Sequence, residues 1–153
     1  MRVKIEIENG LSEPEVTIRC GQLDESVVAI QNYITRQGDS KRCLPLSRGD
    51  TEYYVPMEEI YFFETEGKEI FAHTSDKLFE CPYKLYELEE LLPGAFMRVS
   101  KSTIANLDHI YSITRNLTAS SVAQFMNSNK SIMVSRGYYK AVLERLKERR
   151  MKL

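Results

Sequence analysis

Apolar and polar residues alternate strictly over 2–8. Val3, Ile5 and Ile7 fall on one face; Lys4, Glu6 and Glu8 fall on the other. A period of two predicts a half-buried strand. Asn9-Gly10 signals a turn. Val16, Ile18 and Cys20 then repeat the alternation, so 2–20 is expected to pair as a hairpin. The period lengthens afterwards. Leu23, Val27, Ile30 and Ile34 recur at helical spacing, Asp24 and Glu25 lie in the first turn where the helix dipole favours anions, and Gly38 closes the far end. Residues 1–40 therefore read as a short β-β-α appendage.

From residue 41 the texture changes to short strands with frequent turn signals. Strands are expected over 43–47, 51–55, 59–64, 69–74, 77–81, 97–100, 103–106, 109–115, 119–125 and 130–134. Arg48-Gly49-Asp50, Glu66-Gly67-Lys68, Ser75-Asp76 and Asn127-Ser128-Asn129 are the expected hairpin tips. Two helices interrupt. Leu85, Leu88, Leu91 and Leu92 mark one, stopped by Pro93-Gly94. Tyr139, Val142, Leu143 and Leu146 mark the other, with Ser135 as its N-cap. Strands this many and this short predict a mainly β fold, antiparallel, with small helices over 41–153.

At 42% apolar and 28% charged residues the chain is globular rather than disordered. No run of apolar residues is long enough for a membrane helix. The N-terminus alternates charge and lacks the apolar core of a secretory signal. The three cysteines, Cys20, Cys43 and Cys81, are odd in number and widely spaced. That spacing fits a reduced, cytoplasmic compartment, with all three expected as small buried hydrophobes.

Charge changes the picture. Residues 1–95 carry 10 Lys and Arg against 19 Asp and Glu, a net of −9; residues 96–153 carry 11 against 3, a net of +8. A chain split this way points to a polyanionic partner. The candidates cluster on turns. Arg98, Ser100, Lys101 and Ser102 sit between the anchors Phe96, Val99 and Ile104; short hydroxyls and cations on a tight connection can hold phosphate oxygens. Arg136 lies between a strand and a helix start, where free N–H groups favour an anion and a guanidinium can read guanine. Lys140 lies one helical turn further on. Lys68, with Thr65, lies on a tip that carries three glutamates. Arg115, Asn116 and Lys130 add backbone-grade contacts, and Arg145, Lys147, Arg149, Arg150 and Lys152 form a basic C-terminal run.

Enzyme motifs are missing from the sequence: there is no Gly-x-Ser-x-Gly, no phosphate-cradling glycine loop and no Cys-x-x-Cys. His73 and His109 lie far apart without acidic or cysteine partners at ligand spacing, so no metal site is expected. No catalytic residue and no cofactor are assigned.

Segments 60–73 (IYFFETEGKEIFAH), 96–110 (FMRVSKSTIANLDHI) and 132–143 (IMVSRGYYKAVL) follow one another in an order and spacing that resembles the LytTR DNA-binding domains of bacterial transcription regulators. The resemblance spans roughly residues 41–148. It implies an elongated, multi-sheet LytTR-like domain and a sequence-specific, double-stranded DNA-binding regulator. Loops at Thr65–Lys68, Ser100–Ser102 and Arg136 would then enter successive major grooves. Members often carry a His and an Asn or Arg near the positions of Ser100 and Lys101, and this chain departs from them there. The resemblance also implies homodimers on promoter direct repeats. The roughly 40 preceding residues are too few for a receiver domain of about 100–150 residues. The chain therefore resembles freestanding members, some of which are held inactive by a small membrane protein, and 1–40 is the expected contact for such a partner. Two rival readings stay open: a protein-interaction module with a basic face, and an RNA-binding module drawing on nine tyrosines and six phenylalanines.

Overall fold

Turn chemistry sets the frame. Gly49 and Gly67 hold left-handed backbone, with φ of +61° and +62°, at the tips of two hairpins. Glycine adopts that region without the clash a Cβ would bring. Asn127, at φ +54°, does the same at a third tip, and asparagine is the usual non-glycine occupant. The strands between these tips are short, and ladder order follows from them.

The computed structural model describes residues 4–10, 12, 15–38 and 42–151. The chain divides into two units, Met1–Ser40 and Lys41–Leu153. In the first, helix α1 (Glu25–Gly38) is present. Asp24 is its N-cap rather than a member of its first turn. The Asp24 Oδ1 accepts the Val27 N–H at 3.0 Å and the Ser26 hydroxyl at 2.5 Å. These bonds, led by Ser26, hold the Asp24 carboxyl below the usual carboxylate range. The two strands expected over 2–20 are not formed: the described residues 4–8 and 15–20 carry no ladder. A two-stranded hairpin with no third strand and no packed face is marginal in water.

The second unit has ten strands: β1 (Cys43–Arg48), β2 (Thr51–Pro56), β3 (Phe62–Glu66), β4 (Glu69–His73), β5 (Leu78–Cys81), β6 (Phe96–Ser100), β7 (Thr103–Asn106), β8 (Ile110–Thr114), β9 (Ser121–Phe125) and β10 (Ser131–Val134). Helix α2 (Leu85–Leu91) follows β5 and helix α3 (Arg136–Met151) follows β10. Strands β1–β7 form one antiparallel sheet in the order β2-β1-β5-β4-β3-β7-β6, and β10-β9-β8 form a second. Glu59, expected to open a strand over 59–64, instead ends a short 3₁₀ turn over Met57–Glu59.

Adjacent residues of the central strands are both buried, because the large sheet is covered on both faces. Phe63, Ile104, Phe79 and Leu46 pack with Leu85, Leu88 and Leu92 of the α2 region. Phe62, Ala105 and Val99 pack with Ala123, Phe125 and Val134 of the small sheet and with Val142 and Leu146 of α3. Leu91, read as an apolar marker of α2, is exposed. Of the cysteines only Cys81 is buried, and desolvation pushes its thiol up to about 11. Cys20 and Cys43 are exposed, contrary to expectation.

Candidate nucleic-acid interface

Antiparallel pairing of β3 with β7 sets Glu64 opposite Thr103. The end of β3 and the start of β7 therefore lie at one end of the sheet. The Thr65 N–H donates to the Ser102 carbonyl at 2.8 Å, which places the 66–68 tip beside the 101–102 turn. A second link starts at an irregularity of β6. The β6–β7 register shifts between Arg98 and Ser100. Val99 in that bulge drops its side chain fully into the core, and its carbonyl accepts the Ser135 N–H at 2.9 Å. The Ser135 carbonyl in turn accepts the N–H groups of Tyr138 and Tyr139 at 2.9 and 3.1 Å, opening α3. With one Cα step from Ser135 to Arg136 and two from Val99 to Lys101, the Cα atoms of Lys101 and Arg136 lie within roughly 18 Å of each other. That is the scale of the B-DNA major groove, about 12 Å wide.

Along this rim the cations are available. Lys68, Lys101, Arg136 and Lys140 are exposed. No hydrogen bond or ion pair engages their side chains among the described residues. The Ser100 Oγ accepts the Ser102 N–H at 3.3 Å and lies 3.4 Å from the Ser102 Oγ, so both hydroxyls turn on one tight loop. Arg115 reaches the same region from the end of β8, its guanidinium 5.4 Å from the centre of the Tyr139 ring. Tyr139 is three residues beyond Arg136, on the same helix face. The first turn of α3 carries no acidic residue. The 66–68 tip is electrostatically weaker, because exposed Glu66 and Glu69 flank Lys68.

Other sequence candidates are occupied elsewhere. Arg98 lies on β6, its Nε 2.6 Å from the Glu89 Oε1 on α2. That Nε is buried and has no aligned hydrogen-bond acceptor, so the pair is a charge contact off the N–H axis. The Arg98 Nη1 also donates to the Lys101 carbonyl at 3.3 Å. Arg98 thus shapes the turn from behind. Lys130 sits at the opposite end of the small sheet, beyond β9. Its ammonium donates to the carbonyls of Thr74 and Lys77 at 2.9 and 3.0 Å and lies 3.4 Å from the His73 Nδ1. Burial lowers its pKa. Lys130 is a clasp between the two sheets and does not belong with the rim. Most of the basic C-terminal run is likewise tethered. Arg149 makes two bonds to the Asp108 carboxylate at 2.7 and 2.8 Å. Arg150 donates to the Ile110 carbonyl at 2.5 Å, and Arg145 to that of Gly94 at 3.3 Å. Lys152 lies outside the described residues.

His73 stacks on Phe62 with ring centres 4.1 Å apart, and its Nε2 is 2.7 Å from the Glu64 Oε1. Desolvation holds its pKa below the ordinary histidine value despite Glu64. Neutral His73 therefore donates from Nε2 to Glu64 and accepts from Lys130 at Nδ1. Among the described residues no three His, Cys, Asp or Glu side chains gather as a metal site. Sequence reasoning missed two supporting residues. Tyr139 reads from the sequence only as a core marker, and Glu89 carries no assignment there. Their partners, Arg115 and Arg98, are remote in sequence, and no local pattern links them.

Comparisons with known proteins agree with this fold. A family model described as the LytTr DNA-binding domain matches residues 50–147. Two Staphylococcus aureus proteins, from strains NCTC 8325 and COL, are each 26% identical over 147 residues, covering 95% of this chain and 98% of their own length. Both are described as uncharacterized HTH-type transcriptional regulators. A solved structure, the LytTr DNA-binding domain of a Bacillus cereus protein assigned as a methyl-accepting/DNA response regulator, superposes with a TM-score of 0.64 at 25% identity, covering 70% of this chain and 98% of that one. In the present chain five strands separate α2 from α3, so the rim described above is not a helix-turn-helix, which needs two successive helices.

Proposed function

Because this chain belongs to the LytTr DNA-binding domain family, we propose that it is a transcriptional regulator that binds double-stranded DNA sequence-specifically through the major groove. The observation that carries the reading is the pair of backbone hydrogen bonds, Thr65 to Ser102 and Ser135 to Val99, that gather three loops into one cationic rim. Arg136 reads a base edge, its fork suited to guanine O6 and N7. Lys101, Lys140, Arg115 and Lys68 neutralise flanking phosphates, and the hydroxyls of Ser100 and Ser102 fix the register. Two copies act together on repeated sites in the cytoplasm. Affinity rests on counterion release and specificity on few base contacts.

The test is a titration of duplex DNA from the gene's own promoter against scrambled duplex, at several salt concentrations. Specific binding with a steep salt dependence is expected. Equal affinity for both duplexes would refute specificity and favour a basic interaction module; preference for single strands would favour RNA.

A further inference from the structure

Ile5 and Ile7 are 84% and 92% exposed, more than any large apolar side chain between β1 and β10. They belong to a segment with a strand's alternation and no strand partner among the described residues. An unpaired strand leaves a row of backbone N–H and C=O groups facing water and its apolar face uncovered. The segment is complementary to itself. Laid antiparallel to a second copy about a two-fold axis at Ile5, Lys4 faces the second copy's Glu6, and Ile5 faces its own equivalent. In the same register the sequence sets Val3 against Ile7 and Arg2 against Glu8. Every cation then meets an anion and every apolar residue meets another. Other registers lose this match. A two-fold at Glu6 sets that carboxylate against itself, and parallel pairing sets every charge against its like, which destabilises cross-strand pairs.

We propose that residues 4–8 are the pairing strand of a homodimer, joined antiparallel to the same strand of a second copy of this chain. The Lys4–Glu6 ion pair within each chain is exchanged for a pair between chains, two per dimer on either side of the exchange. The interface is isologous, so each contact occurs twice. The proposal explains why an alternating sequence forms no ladder in the single chain: the missing strand is its own copy. It does not rest on the DNA-binding reading.

Sedimentation velocity of the full chain without DNA, over a range of micromolar concentrations, is the measurement. A monomer–dimer equilibrium is expected. Lys4→Glu and Glu6→Lys should each raise the dissociation constant by about tenfold or more, since symmetry turns two attractive pairs repulsive at once. The double variant K4E/E6K should restore the dimer. An equimolar mixture of the two single variants should form heterodimers, visible by native mass spectrometry, which no intrachain effect of Lys4 on Glu6 can produce. A chain monomeric throughout, single variants that dimerise like the parent, or a mixture that stays monomeric would each overturn the proposal. Loss of specific DNA binding would leave these results untouched, so the two readings fail separately.

Discussion

A cation's role here follows from what its head group already touches. The Arg136 guanidinium makes no hydrogen bond or ion pair among the described residues, whereas Lys130 holds two carbonyls. Arg136→Ala should therefore cost about 1–3 kcal/mol of binding and relax preference at one base position. Uniform weakening across sequences in a binding-site selection would demote it to a phosphate contact. Lys130→Met should do the reverse. The Thr74 and Lys77 carbonyls lose their donor, so stability should drop by about 1–3 kcal/mol in urea denaturation, with DNA affinity of the folded protein unchanged. His73 gives this clasp a pH dependence. Its folded pKa lies below the ordinary value, so the unfolded chain takes up the proton first. Its contribution is fully present above the unfolded pKa of about 6.5 and is lost as pH falls from there toward the folded pKa. Stability should decline more steeply from neutral to mildly acid pH in the parent than in His73→Gln; parallel curves would show that His73 is not the titrating group.

Strand irregularities and tips, rather than strand interiors, carry the proposed interface at the level of elements. The β6 bulge turns Val99 into the core and frees its carbonyl for Ser135, tying α3 to the β6–β7 turn. Bulges often re-aim side chains in this way. At the neighbouring tip Gly67 sits at φ +62° with open space around an added Cβ. Gly67→Ala should thus cost about 1–2 kcal/mol from backbone strain alone. Gly94→Ala, also in open space but outside the left-handed region, should be near neutral in the same thermal melts. Equal effects would mean that the tip relaxes. Most strands of 41–153, and the four expected tips among its six hairpin connections, were legible from alternation and turn residues. The hairpin expected over 2–20 carries no ladder among its described residues, because alternation specifies a strand's faces and leaves its partner undefined.

For the molecule as a whole, the Lys41–Leu153 unit contains both hydrophobic clusters and every residue of the rim. Removing 1–38 should leave folding and DNA binding of one copy largely intact; loss of the cooperative unfolding transition would show that the appendage belongs to the core. Five available cations per copy set an upper limit on the salt dependence, a slope of about −4.5 in log affinity against log salt. A much steeper slope per copy would mean that the tethered arginines of α3 release their partners on DNA.

By itself the sequence determined the strand order along the chain, the turn positions and the excess of positive charge after residue 95. These are local properties, written in side-chain period and in the φ that glycine and asparagine tolerate. It did not decide which cations are left without an acceptor. Arg98, Lys130, Arg145, Arg149 and Arg150 resemble Lys101 and Arg136 in composition and differ from them only in acceptors brought near by remote strands and loops. Tertiary structure settled that division, because a cation forms a charge-assisted hydrogen bond where a carbonyl or carboxylate lies within reach, and those acceptors are assembled only by the fold.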